Sequence, residues 1–227
     1  MGERETDIVQ NAHRGEGPCE DCRAHENSRG TFVNPGLSNP EGELLFVTEE
    51  PRHPVEWNQH NDWAEYNAEW LPRFKAAQGG QFIEKLLESV ELTLDDVWIT
   101  DSIKCPTQED TSRGIPATDT KDCFAHCRAY LDAEINARNP SGIVTLGRQA
   151  TRRTLRVLGI PRSRAASVRV SREYGICEYD TPSPVVISLH WAQRTITEDE
   201  WVPVVQEAIA NVLTENHSSG SIVGDRS

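Results

Sequence analysis

Four short apolar runs, set apart by stretches with helical patterning, constrain the fold of this chain more than anything else in it. They are ELLFVTEEP (43–51), DVWITDSIKC (96–105), GIVTLGR (142–148) and PVVISLHW (184–191). Runs of this length without polar alternation read as strands buried on both faces. Between them lies GQFIEKLLESVEL (80–92), with Phe82, Ile83, Leu86, Leu87 and Val90 on one helical stripe. TKDCFAHCRAYLDAEINARN (120–139) is a second helix, and an arginine-rich helix follows the third strand and stops near Gly159-Ile160-Pro161. Strands alternating with helices predict an α/β protein: a three-layer α/β/α sandwich around a central, mostly parallel four-stranded sheet. VEWNQHNDWAEYNAEWLPRF (55–74) reads as a loop plus a short helix, ASVRVSREYGICEYD (166–180) as a hairpin turning at Gly175, and 198–213 as a closing helix despite Pro203.

The 227 residues suffice for one such domain. Residues 1–16 are expected to form a polar arm, 17–214 the domain, and the Ser/Gly-rich 215–227 a disordered tail. No apolar run approaches the roughly 18 residues that span a membrane, and MGERETDIVQ lacks a signal-peptide core. A cytoplasmic location is therefore expected, where thiols stay reduced and disulfides are rare.

The net charge of −13 argues against a nucleic-acid partner on its face. Yet only Lys75, Lys85, Lys104 and Lys121 are lysines, and acid-rich, lysine-poor composition suits a protein working in concentrated salt, a halophile's, where charge reflects the solvent. Residues 141–172 also contain eight arginines and no acid. Arg148, Arg152, Arg153 and Arg156 on the helix after the third strand make that stretch a candidate phosphate-binding surface.

In parallel sheets ligands gather at the carboxyl ends of the strands. Those ends carry Glu49, Glu50 and Pro51; Asp101 to Cys105; Gly147 and Arg148; and His190 and Trp191. Six cysteines add a second signal. Cys19 and Cys22 form a C-x2-C pair, Cys105 ends the second strand, and Cys123 and Cys127 stand one helical turn apart. Four thiolates from these positions suit tetrahedral zinc or an iron–sulfur cube, and spacing separates neither the two metals nor Cys123 from Cys127. Cys177 reads as a buried free thiol.

CEDC, FVTEEP, GQFIEKLLESV, WITDSIKCP, CRAYL, GIVTLGRQA and ISLHWA occur in that order over about residues 17–195. In this the chain resembles the family-four, iron–sulfur uracil-DNA glycosylases. The family opens with C-x2-C, then a strand ending in a GEAPG-like loop, a strand reading roughly ITNVVKC, VIVTLG, and a last strand ending in HPA or HPS. The resemblance implies a DNA base-excision glycosylase that hydrolyses the N-glycosidic bond of uracil or a related pyrimidine. It implies a [4Fe–4S] cluster on Cys19, Cys22, Cys105 and Cys127, with Cys123 spare, because the family's last ligand precedes an aromatic-Leu pair by three residues, as Cys127 precedes Tyr130-Leu131. The partner it implies is DNA, single- or double-stranded, with no membrane and a monomeric protein.

Site residues follow residue by residue. His190 resembles the histidine that faces the base oxygen. Glu49 matches the glutamate of the GEAPG loop, and Glu50 stands where other branches of the superfamily carry the carboxylate that positions water. Phe74, or Trp70 instead, is the candidate for stacking on the flipped base. Arg194, with the arginines of the strip, is a candidate DNA contact, since Ala192-Gln193-Arg194 stands where the family has LLR. Asp101 replaces the family's asparagine, Thr48 and Arg52 replace loop glycines, and Trp191 replaces a proline. An ionised Asp101 offers only acceptors and would suit the amino group of cytosine or a modified cytosine, whereas a protonated one could still donate to uracil O4. A non-catalytic iron–sulfur module that only binds DNA is the further alternative.

Overall fold

Alternate side chains of each central strand enter opposite cores, which fixes the layering. Leu45 and Val47 pack with Trp98, Ile143, Val185 and Ile187 on one face, while Leu44 and Phe46 pack with Ile99, Val144 and Val186 on the other. The computed structural model describes residues 17–28, 33–52, 56, 59–176, 180–193 and 196–219, with side chains through 214. In chain order the elements are α1 (Arg23–Ser28), β1 (Leu37–Ser38), β2 (Leu44–Thr48), α2 (Trp63–Ala76), α3 (Gln78–Leu87), β3 (Trp98–Asp101), α4 (Thr120–Arg138), β4 (Gly142–Leu146), α5 (Arg148–Val157), α6 (Arg162–Ser167), α7 (Val170–Glu173), β5 (Val185–Ser188) and α8 (Glu198–Ser219).

The sheet order is β1-β3-β2-β4-β5. The four expected strands β2, β3, β4 and β5 pair in parallel, with Val47 beside Thr100, Phe46 beside Val144 and Thr145 beside Ile187. The sheet has a fifth strand as well: β1 adds antiparallel to the β3 edge through Leu37 and Ser38. Two residues are too few for any periodicity, so the sequence carried no sign of it. Helices α4 and α5 cover the face that also holds the cysteines, and α3 and α8 cover the other.

Three local expectations change. Helix α2 is longer than a short helix: Asp62 caps it by accepting from the Glu65 N–H at 3.0 Å, and it runs through Pro72 to Ala76. Residues 166–176 form no hairpin. Instead α6 buries Ala165, Val168 is buried at its C-terminal end, and Arg152 donates to the carbonyls of Ala166 and Val168 that strand pairing would have used. The Glu173 carboxylate accepts from the Arg169 N–H and closes α7 on itself. Helix α8 continues to Ser219, beyond the expected boundary at 214. The arm 1–16, Cys177, Arg194 and residues 220–227 lie outside the described residues.

Candidate active site and thiol cluster

The carboxyl ends of the parallel strands open on a cavity of about 130 Å³. Thr48, Glu49 and Glu50 reach its wall from the end of β2, Asp101 from β3, and His190 and Trp191 from just beyond β5. Trp70 and Phe74, a helical turn apart on α2, close the opposite side. Both candidate stacking rings therefore face the same space.

Backbone continuation holds these ends together. Beyond their last paired residues, the Ser102 N–H donates to the Thr48 carbonyl at 2.9 Å and the Ile103 N–H to the Glu49 carbonyl at 3.1 Å. Gly147 has φ +87°, and a Cβ there would sit 3.2 Å from the His190 Cβ, so both conformation and space require glycine where β4 turns into α5. Gly80 answers to a similar constraint, since a Cβ would lie 2.2 Å from the Phe74 carbonyl oxygen.

His190 is half-buried and stacks on Trp191 with centroids 3.8 Å apart. Its Nδ1 accepts from the Ala192 N–H at 3.1 Å, which places the proton of the neutral ring on Nε2. Burial, with the Arg52 cation nearby, depresses its pKa to about 4. The ring is therefore a neutral donor at physiological pH.

Asp101 is buried and its two oxygens are both engaged. Thr48 Oγ1 donates to Oδ1, and Asn34 Nδ2 donates to Oδ2 at 2.5 Å. Burial lifts its pKa to about 6, against the lowering effect of the two donors and of Lys104. Glu50 adds only the smallest of these contributions, so burial and not the neighbouring carboxylates dominates. Asn34 and Thr107 belong to this site and were not legible in the sequence. Thr107 donates through its N–H (3.2 Å) and its hydroxyl to Glu50 Oε2. Burial also raises the Glu49 pKa, opposed by Arg153.

The arginines divide. Arg148 is exposed at the start of α5. Arg153 is 6 % exposed and points inward, donating to the Glu49 carbonyl at 3.3 Å and to Ser102 Oγ at 3.1 Å, with its Nη2 3.8 Å from the Glu49 carboxylate. It braces the loop after β2 and does not present a guanidinium to a phosphate. Arg152 is spent on the carbonyls of Ala166 and Val168, and Arg156 lies over the Phe124 ring, 5.1 Å from its centroid. The outward cations of the basic stretch are instead Arg148, Arg162, Arg164, Arg169 and Arg172.

Behind the sheet end, Cys19, Cys22, Cys105, Cys123 and Cys127 are all buried and free. Several lie within electrostatic reach of one another: Cys127 of Cys19 and Cys22, and Cys105 of Cys19, Cys22 and Cys127. Cys22 is hydrogen-bonded to Cys123, Cys19 Sγ lies 3.2 Å from the Tyr130 hydroxyl, and Lys104 N–H donates to Cys127 Sγ at 3.4 Å. Among the described residues, no three His, Cys, Asp or Glu side chains converge as a single metal ion would require.

The family model of the uracil DNA glycosylase superfamily matches residues 35–203. A type-4 uracil-DNA glycosylase of Sulfurisphaera tokodaii is 27 % identical over 199 residues, covering 84 % of this chain and 80 % of its own. Proteins of the same description from Archaeoglobus fulgidus and Saccharolobus solfataricus are 29 % identical over 134 residues and 24 % over 218, covering 58 % and 92 % of this chain and 56 % and 89 % of their own.

Proposed function

The chain belongs to the uracil DNA glycosylase superfamily, and we propose that it excises uracil from DNA by hydrolysing the N-glycosidic bond. The observation that carries this reading is the convergence of His190, Glu49, Glu50, Asp101 and an aromatic wall on one cavity at the sheet's carboxyl edge.

A base enters such a cavity only after leaving the helix stack, and Phe74 or Trp70 offers the ring that replaces its lost neighbours. As the glycosidic bond breaks, electrons move onto the base. His190 meets that charge with its Nε2–H, a neutral donor fixed in tautomer by Ala192. The sugar becomes cation-like, which a nearby carboxylate stabilises. Glu50 has one oxygen tied to Thr107, which aims the carboxylate and leaves the other oxygen for the attacking water. Glu49, held against Arg153, adds negative charge at the same edge. Arg148 and the outward arginines of α6 and α7 are the candidate phosphate contacts.

The thiol cluster fits a [4Fe–4S] centre on Cys19, Cys22, Cys105 and Cys127. Four buried sulfurs come from three separate segments, the number and kind of ligand that an iron–sulfur cube takes. Such a cluster would tie the segment around α1 to the β3 end and α4, and base hydrolysis, which is not a redox reaction, leaves it a structural part. The test of function is single-turnover incubation with oligonucleotides carrying one modified base each, scored for abasic sites. Cleavage confined to uracil-containing strands is expected; release of cytosine or 5-methylcytosine alone, or binding without release, overturns the reading.

A further inference from the structure

Asp101 leaves the cavity with acceptors where a 4-keto pyrimidine needs one acceptor and one donor. Uracil presents N3–H, a donor, beside O4, an acceptor. Asp101 has a pKa of about 6 and is mostly ionised at neutral pH, so it can take the N3–H but has nothing to give O4. Thr48 cannot supply the missing donor, because its hydroxyl hydrogen already goes to Asp101 Oδ1.

Asn34 can. It lines the same cavity and is 4 % exposed. Its amide orientation is set by its neighbours: Oδ1 accepts from the Gly36 N–H at 3.0 Å and lies 3.4 Å from the Tyr66 hydroxyl, so the NH2 group must be the end that meets Asp101. An amide nitrogen carries two hydrogens, and the one not given to Asp101 Oδ2 has no partner among the described residues. A buried polar hydrogen at a cavity wall is free to meet an acceptor on a ligand that fills the cavity.

We propose that Asn34 is a specificity-determining residue that donates to O4 of the flipped base while Asp101 accepts from N3–H, so that two side chains share the task of one amide. The pairing selects 4-keto pyrimidines with a protonated N3. Cytosine is refused at both positions: its amino group meets a donor and its bare N3 meets a carboxylate. This deepens the uracil reading and rests on it.

The experiment compares wild-type protein with Asn34→Ala, which removes both amide hydrogens without setting a second carboxylate against Asp101. Single-turnover excision is measured on oligonucleotides containing uracil or 4-thiouracil, whose sulfur is the weaker acceptor at the same place. A lost hydrogen bond to the base should lower the uracil-to-4-thiouracil rate ratio on the order of tenfold relative to wild type. A merely structural role would slow both substrates alike and leave the ratio unchanged, which overturns the proposal. Asn34→Ser, whose hydroxyl can still accept from the Gly36 N–H, repeats the comparison should Asn34→Ala melt below the assay temperature. Absence of uracil release by the wild type sinks the glycosylase reading itself, and is thereby distinct from release with an unmoved ratio.

Discussion

The Ala192 N–H donates to His190 Nδ1 at 3.1 Å, and this one main-chain bond decides which end of the imidazole can give a proton. The ring has a pKa of about 4, so it stays a neutral Nε2–H donor throughout the physiological range. His190→Ala should lower the single-turnover rate on uracil-containing DNA by about 10²–10³ while leaving binding to abasic DNA nearly intact. A ring titration followed by NMR should show no protonation above pH 5. The linkage has a definite sign: unfolding restores an ordinary histidine near 6.5, so stability from this ring is full above that value and is lost as pH falls toward 4. A ring that titrates near 6.5 in the folded protein contradicts the assignment.

Much of this site was legible in the sequence, and the reasons differ by residue. The strand ends could be read because buried parallel strands are continuous apolar runs, and Glu49, Glu50, Asp101 and His190 each follow one directly. Asn34 and Thr107 lie in segments with no period at all: Asn34 reaches the cavity only because β1 folds back on β3, and Thr107 reaches Glu50 only because the chain after Cys105 crosses it. The arginine strip divides for a physical reason. A guanidinium on a long stem can be turned inward to bond carbonyls, as Arg152 and Arg153 are, and sequence spacing does not report that. The expected hairpin failed in the same region, where Val168 caps α6 and Val170 opens α7, so their spacing falls at a junction between two short helices and not on a pleated face.

The two arginine classes should separate in a salt titration. Arg148→Glu should weaken binding to DNA of any sequence and flatten the slope of log affinity against log salt by about 1. Arg153→Leu should leave that slope unchanged, yet slow base release, because it frees the Glu49 loop and Ser102. Equal slope changes for both variants would place Arg153 on the DNA.

For the thiols, protein purified without oxygen should be brown and carry about four irons per chain. Cys19→Ala, Cys22→Ala, Cys105→Ala and Cys127→Ala should each lose iron and melt early, whereas Cys123→Ala and Cys177→Ala should retain it. Iron kept in Cys127→Ala but lost in Cys123→Ala would exchange the two positions on α4. Stoichiometric zinc without iron would refute the cluster.

Lys104 and Glu134 form a buried ion pair, Nζ to Oε1 2.7 Å, with Thr100 joined to both. Removing one partner strands the other charge inside the protein. Lys104→Met should therefore cost about 3–5 kcal/mol, read as a lower denaturant midpoint, while Lys104→Met combined with Glu134→Leu should recover much of that loss. Additive losses in the double variant would show that the pair is not electrostatically coupled.

Asp101 has the opposite linkage to His190. Its folded pKa is raised from the ordinary 3.8 to about 6, so the folded protein holds a proton that the unfolded chain has lost, and stability from this group is present below 3.8 and lost as pH rises through about 6. The distance between those values corresponds to roughly 3 kcal/mol. Asp101→Asn removes the buried anion. Its amide can accept from Asn34 with its oxygen and donate to the Thr48 hydroxyl, so both existing partners are kept. The variant should be more stable than wild type above pH 7, by about 3 kcal/mol at most, with the difference vanishing below pH 4. Because ionised Asp101 is the acceptor for N3–H, wild-type uracil release should rise across pH 5 to 7 around a midpoint near 6, and Asp101→Asn should flatten that component. Release that falls over the same range would mean that Asp101 acts on the base as an acid, and that Asn34 is not the donor.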